Sequence, residues 1–219
     1  MGYAMSIVSN VSPLAPKNFP VMHSISGVRF ATANAGIKSG DSEDATLILL
    51  EPETVIAGLF TSSMTRSAPV IDCQNKIGIN VANTGAAIII NSGNANAFTG
   101  RHGELAVREI TAELSTRVQI PVERIFSSST GVIGELLEYQ KIINVFDYLV
   151  DSLHVSKIEN AARAIMTTDT FPKGSSVKVS SSGGKITISG IAKGSGMIAP
   201  NMGTMPVSYT HLTLPTRLP

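Results

Sequence analysis

The sequence predicts an α/β protein built as α+β layers, and three observations carry that class. Short apolar runs bounded by Pro, Gly and Asn mark strands, as at residues 45–50 and 85–90. Longer stretches with apolar residues at helical spacing mark helices, as at Val107, Ile110, Leu114 and Val118. The two kinds alternate along 219 residues without an internal repeat, a length that can bury a real core.

In chain order, residues 1–22 contain three prolines and read as an extended arm leading into a first strand around residues 28–31. A polar, small-residue loop follows. Residues 45–50 and 55–60 are two apolar runs joined by Glu51-Pro52-Glu53-Thr54, a spacing that predicts a β-hairpin. Residues 61–69 read as a loop. The apolar run at 85–90 is continuous, as expected of a strand covered on both faces. It ends in Asn91-Ser92-Gly93-Asn94-Ala95-Asn96, a polar loop whose amides suit Asx turns first, and otherwise the positioning of a peptide bond to be cut or the bracing of a neighbouring loop. A helix is expected from Glu104, with Glu104 and Arg108 as an i,i+4 pair and Pro121 as its stop. Residues 125–127 form a short strand feeding Ser128-Ser129-Thr130-Gly131. Ile142, Phe146, Leu149 and Leu153 align along a helix over 136–153. Ser156 and Glu159 make a capping box for a third helix to about Met166, with Thr167-Thr168-Asp169-Thr170 as its exit loop before Pro172. Residues 177–179 and 186–191 pair as a last hairpin across Gly183-Gly184.

Composition narrows the function classes. The net charge is +1, aromatics are few and no basic run occurs, so nucleic acid and anionic membranes are not expected partners. The single cysteine, Cys73, excludes an internal disulfide, fits a reducing compartment and reads as a small structural hydrophobe. The first residues lack the charged n-region of a signal peptide, and no apolar stretch is long enough to span a bilayer. Cytoplasmic location is the expectation. No His/Cys/Asp cluster has metal-ligand spacing, so no metal is expected.

The chemistry concentrates between Lys185 and Met205, KITISGIAKGSGMIAPNMGTM. A strand gives way to a loop too rich in Gly and Pro for a helix, which also argues against reading Gly194 to Ala199 as a dinucleotide fingerprint. That loop carries one cation, Lys193, and ends on Gly203-Thr204. The Thr204 hydroxyl can swing back on its own preceding carbonyl. An N→O acyl shift and hydrolysis would then cut the chain and leave Thr204 with a free α-amine. Such an amine titrates near ~8 and can serve as base for the adjacent hydroxyl. Thr130 and Gly131, read alone, favour a strand-to-helix cap. Lys193, read alone, is a solvent-facing lysine.

GIAKGSGMIAPNMGTM resembles the cleavage segment of the ornithine acetyltransferase family, the bifunctional glutamate N-acetyltransferases of arginine biosynthesis. NSGNANAFTG, SSTGVIG, AIMTTDTFPK and GVRFATANAGIK agree with it in the family's order, from Gly27 to Met205. The resemblance implies a self-cleaving sandwich of the N-terminal-nucleophile type, cut at Gly203-Thr204, with Gly203 standing where the family usually has Ala. It implies Thr204 as nucleophile, Thr130 and Gly131 as oxyanion hole, and Thr167, Lys193 and Thr204 as substrate-binding residues. Thr168 competes with Thr167, and Asp169 is expected to cap its turn. The implied reaction moves an acetyl group from N-acetylornithine to glutamate, with no bound cofactor and with acetyl-CoA as donor in some members. The implied assembly is an α2β2 heterotetramer with the protein's own β chain. Residues 1–203 then form the α chain and 204–219 the start of the β chain. Residues 206–219 do not continue the family pattern and read as an artefactual tail, so a truncated chain, inactive alone, is expected. A self-cleaving amidase or aminopeptidase and a non-catalytic small-molecule binder are the rival readings.

Overall fold

β1 (Val28–Ala33), β2 (Ala45–Leu50), β3 (Ala86–Asn94) and β4 (Ile125–Val132) form one four-stranded sheet in that order. This computed structural model describes residues 11–13, 15–79, 81–181 and 184–195. β1–β2 and β2–β3 are antiparallel, whereas β3 and β4 run parallel. A parallel pair needs a long crossover, and α2 (Gly100–Val118) supplies it.

Side-chain alternation sends the sheet's apolar residues to two cores. Ala31, Leu47, Ile89 and Ile125 pack with Ala106, Ile110 and Leu114 of α2 and with Ile142, Phe146 and Leu149. Phe30, Ile48, Ile90 and Phe126 pack on the other side with Ile158, Ala161, Ile165 and Ile191. Coverage of both faces explains the nearly unbroken apolar sequence of β2 and β3. The second core is closed in part by a separate antiparallel hairpin of β5 (Lys173–Ser181) and β6 (Gly184–Ala192), longer than the sequence suggests.

Several expectations are corrected. Residues 55–60 form no strand: β1 and β3 occupy both edges of β2, so a further hairpin partner has no free hydrogen-bonding edge. Val55 and Leu59 are 80 % and 91 % exposed as a result. The loop at 61–69 runs instead into α1 (Ala68–Lys76), whose start was signalled by Ser67 at the N-cap and Pro69 in the first turn. The polar run after residue 90 is not all loop, because β3 continues to Asn94. β4 likewise extends through Thr130 and Gly131. The next helix begins only at Tyr139, so Thr130 caps no helix.

The helix expected over 136–153 is two short ones, α3 (Tyr139–Ile143) and α4 (Phe146–Asp151), broken at Asn144 and Val145. Ile142, Phe146 and Leu149 are buried in either arrangement, so their spacing does not report the break. α5 (Ile158–Ala164) starts later than the capping box requires, with Lys157 at its N-cap. Ser156 instead pairs its hydroxyl with His154 Nδ1 at 2.8 Å. The backbone of His154 is exchanging hydrogen bonds with Phe30 at the open edge of β1, at 2.9 and 3.0 Å. Arg108 pairs with Glu109 at 3.5 Å, not with Glu104.

Candidate active site

The site lies where the parallel strands β3 and β4 end side by side, with Ser92 opposite Thr130 and Gly93 opposite Gly131. The amides of the 91–96 run mostly serve the scaffold. Asn91 donates through Nδ2 to the Asn94 carbonyl at 2.9 Å and accepts the Ser129 hydroxyl at 2.6 Å. Asn94 Oδ1 accepts the Asn96 N–H at 2.7 Å, an Asx turn, while its Nδ2 donates to the Glu135 carbonyl. The run thus makes turns and braces β4, while the peptide bond it was expected to position lies outside the described residues. Gly131 has φ +139°, and a Cβ there would collide with the Gly93 backbone and the Asn94 nitrogen. Only glycine lets the two strands approach this closely.

Thr130 sits on β4, Thr167 on the exit loop of α5, and Lys193 one residue beyond β6. Folding brings the three together. Lys193 Nζ donates to Thr130 Oγ1 at 2.8 Å and to Thr167 Oγ1 at 2.7 Å. Lys193 is only 7 % exposed, which overturns the solvent-facing reading. Burial pushes its ammonium down from the ordinary lysine range; Asp169 pulls it back up and Lys173 lowers it further.

Asp169 does more than cap its turn. Its carboxylate accepts the Thr167 N–H at 3.2 Å, the Gly194 N–H at 2.6 Å and the Lys173 ammonium at 2.7 Å. Burial pushes this carboxyl up, but Lys173 and the two N–H groups more than offset that and hold it below the ordinary value. The link from Asp169 to Gly194 spans 25 residues and leaves no trace in local sequence spacing.

Two further supports were missed from the sequence. Ser92 Oγ donates to the Ala164 carbonyl at 2.5 Å, fixing the end of α5 just before Thr167. Lys38 Nζ reaches the Ala164 and Met166 carbonyls, at 3.4 Å each. The loop carrying Lys38 is gathered by the buried Asp44 carboxylate, which accepts N–H bonds from Ala35, Ile37 and Lys38 at 2.6–2.8 Å. An Asp six to nine residues downstream of a glycine-containing loop is the only signal the sequence offers for that clamp.

Gly203 and Thr204 lie outside the described residues, as do residues 196–202 and the stretch from 205 onward. Cys73 stands apart from the site. Its thiol donates to the Ser127 carbonyl at 3.1 Å and burial pushes it up to about 11, so it is largely unionised at neutral pH. Among the described residues, no group of three His, Cys, Asp or Glu side chains could hold a metal ion. Among the same residues, no helix is long and apolar enough to cross a membrane.

Fold and site together define an α+β sandwich protein with a buried ammonium bridging two threonine hydroxyls at the carboxyl end of a parallel strand pair. The chain belongs to the ArgJ family, whose description matches residues 29–211. The arginine biosynthesis bifunctional protein ArgJ of Ruegeria pomeroyi is 50 % identical over 201 residues, 92 % of this chain and 49 % of the relative. That of Bartonella quintana is 44 % identical over 195 residues, 89 % of this chain and 47 % of the relative. The chain thus spans about half the length of the curated relatives it matches. The crystal structure of Bacillus halodurans ArgJ superposes with a TM-score of 0.73 at 31 % identity, covering 82 % of this chain and 94 % of that one. Ornithine acetyltransferase from Mycobacterium tuberculosis, complexed with ornithine, superposes with a TM-score of 0.71 at 32 % identity over 80 % and 92 % of the two chains.

Proposed function

We propose that this protein, at the full length of its relatives, is a glutamate N-acetyltransferase working through an acetyl-threonine intermediate. The observation that carries the reading is the Lys193 ammonium held between the Thr130 and Thr167 hydroxyls, since these residues come from three separate sequence blocks. The M. tuberculosis relative solved with ornithine supports an ornithine-type substrate.

The proposed reaction begins with cleavage at Gly203-Thr204, dividing residues 1–203 from a chain that starts at Thr204. The freed α-amine takes the Thr204 hydroxyl proton, and Oγ attacks the acetyl carbonyl of N-acetylornithine. The carbonyl oxygen gains negative charge as the tetrahedral intermediate forms. A hydroxyl that accepts a hydrogen bond from an ammonium turns its own O–H elsewhere, so Lys193 predisposes Thr130 to donate. Thr130 O–H and Gly131 N–H are the proposed oxyanion donors, worth roughly 3 to 4 kcal/mol each in comparable sites. Collapse breaks the C–N bond, and ornithine leaves with the proton held by the α-amine. The amine of glutamate then attacks acetyl-Thr204, giving N-acetylglutamate and restoring the hydroxyl. Lys193 has a third N–H for the substrate, Thr167 contributes its hydroxyl, and acetyl-CoA is a second donor by the same route. The working assembly proposed is an α2β2 heterotetramer with the protein's own β chain, in the cytoplasm, with no metal.

The full-length protein tests this by intact mass and by transfer of a deuterated acetyl group from N-acetylornithine to glutamate. Wild type should run as two pieces and transfer label, whereas Thr204→Ala should stay whole and inactive. An uncut, inactive wild type overturns the reading. Acetate release at an equal rate without glutamate points to a hydrolase instead.

A further inference from the structure

We propose that Asp169 is the positioning residue of this site, bolting the Thr167 turn to the Lys193–Gly194 backbone so that the ammonium stays between the two threonine hydroxyls. The inference rests on the functional reading above for what the ammonium does, but not for where it is held. The Asp169 side chain is 0 % exposed, yet its carboxylate is met by three donors, two from its own stretch of chain and one from Gly194. Oδ1 takes the Gly194 N–H, directly after Lys193, and the Lys173 ammonium at the start of β5. Oδ2 takes the N–H of Thr167 itself. Loss of this carboxylate would therefore uncouple the backbones on both sides of the Lys193–Thr167 hydrogen bond at once.

Charge adds to the geometry. Asp169 and Lys173 act on the charge of Lys193, and the Lys38 ammonium lies at the Ala164 and Met166 carbonyls beside Thr167. Asp169 favours the charged form of Lys193 against the effect of burial, and Lys173 works against it. The Lys173 side chain is one-third exposed and shares its charge with the Phe171 ring at 4.5 Å, so it trims the field of Asp169 from the solvent side. A carboxylate that orients a catalytic cation without meeting the substrate is the usual supporting arrangement of a preorganised site.

The test uses the full-length protein and reads two quantities: the pH titration of Lys193 Nζ by nitrogen NMR, assigned by its absence in Lys193→Met, and kcat and KM for acetyl transfer. Asp169→Asn keeps the shape but turns one acceptor into a donor facing the Thr167 N–H. It should lower kcat by about tenfold or more, as small misplacements do, and move the Lys193 titration to lower pH. Lys173→Met keeps the two backbone N–H bonds to Asp169 but removes its third donor together with the opposing charge, so it should move the same titration to higher pH. Should Asp169→Asn fail to fold, the wild-type amide resonances of Thr167 and Gly194 decide, because both should shift together as the Asp169 carboxylate takes up its proton at low pH. An Asp169→Asn protein with wild-type titration and kcat overturns the proposal, and so do Thr167 and Gly194 amides that do not follow the carboxylate. If wild type transfers no acetyl group the functional reading fails, while the Nζ titrations continue to decide the role of Asp169.

Discussion

Lys193 carries three N–H donors, two of them committed to the hydroxyls of Thr130 and Thr167. Replacing it with methionine keeps the bulk but removes the donors and the charge. Both hydroxyls would then be free to rotate, and the transfer activity proposed for the full-length protein should fall about 10²-fold or more, measured as kcat on protein whose melting curve is unchanged or raised. The same residue was legible in the sequence only through its motif. As one lysine among many it read as solvent-facing, because nothing local reveals that a strand end, a helix exit and a hairpin end converge on it. Gly131 makes the complementary point about backbone. Gly131→Ala must both tolerate φ +139° and push against the Gly93 carbonyl carbon. We expect a loss of about 1–3 kcal/mol or more in chemical denaturation. Asp169 sets a pH dependence. Its folded-state pKa lies below the ordinary value of 3.8, so the native state binds its proton less readily than the unfolded chain does. The stabilisation is fully present above that value and is lost as pH falls through the folded-state pKa. Denaturation profiles of wild type and Asp169→Asn should therefore converge as the solution is taken below pH 3.8.

At the scale of elements, the strands separate by how many neighbours they have. β3 lies between β2 and β4, with helices or a hairpin against both faces, whereas residues 55–60 have the same apolar look and no partner edge. Ile89→Ala in β3 should cost about 2–5 kcal/mol. Leu59→Ser, at a side chain 91 % exposed, should stay within about 0.5 kcal/mol. Urea titration of the two variants side by side checks the contrast. Local sequence could not separate the two runs, because β-propensity reports fitness for a half-buried pleated surface and not the presence of a neighbour. The break between α3 and α4 escaped for a related reason. Ile142, Phe146 and Leu149 meet the same core whether the helix is continuous or interrupted.

At the scale of the whole molecule, one mixed sheet separates two apolar cores, and the site forms at the rim where β3 and β4 end, beyond the helices that cover the sheet. Polar groups gather there because the strands run out of apolar sequence at Asn91 and Ser127 while their pairing continues. Phe146, fully buried among α2 and the sheet, should be the costliest truncation away from the site. Phe146→Ala is expected to lose about 3–5 kcal/mol in thermal or chemical unfolding. By itself the sequence determined the layered class and most strand and helix cores, because periodicity and turn chemistry are local properties of the chain, and it marked the blocks holding Thr130, Gly131, Thr167 and Lys193 only through their family resemblance. Only the tertiary structure decided which strands found edges, that Lys193 is buried between two hydroxyls, and that Asp169 ties their supports together. The last two outcomes depend on hydrogen bonds between residues 25 to 63 positions apart, where local sequence pattern is silent and packing selects the partner.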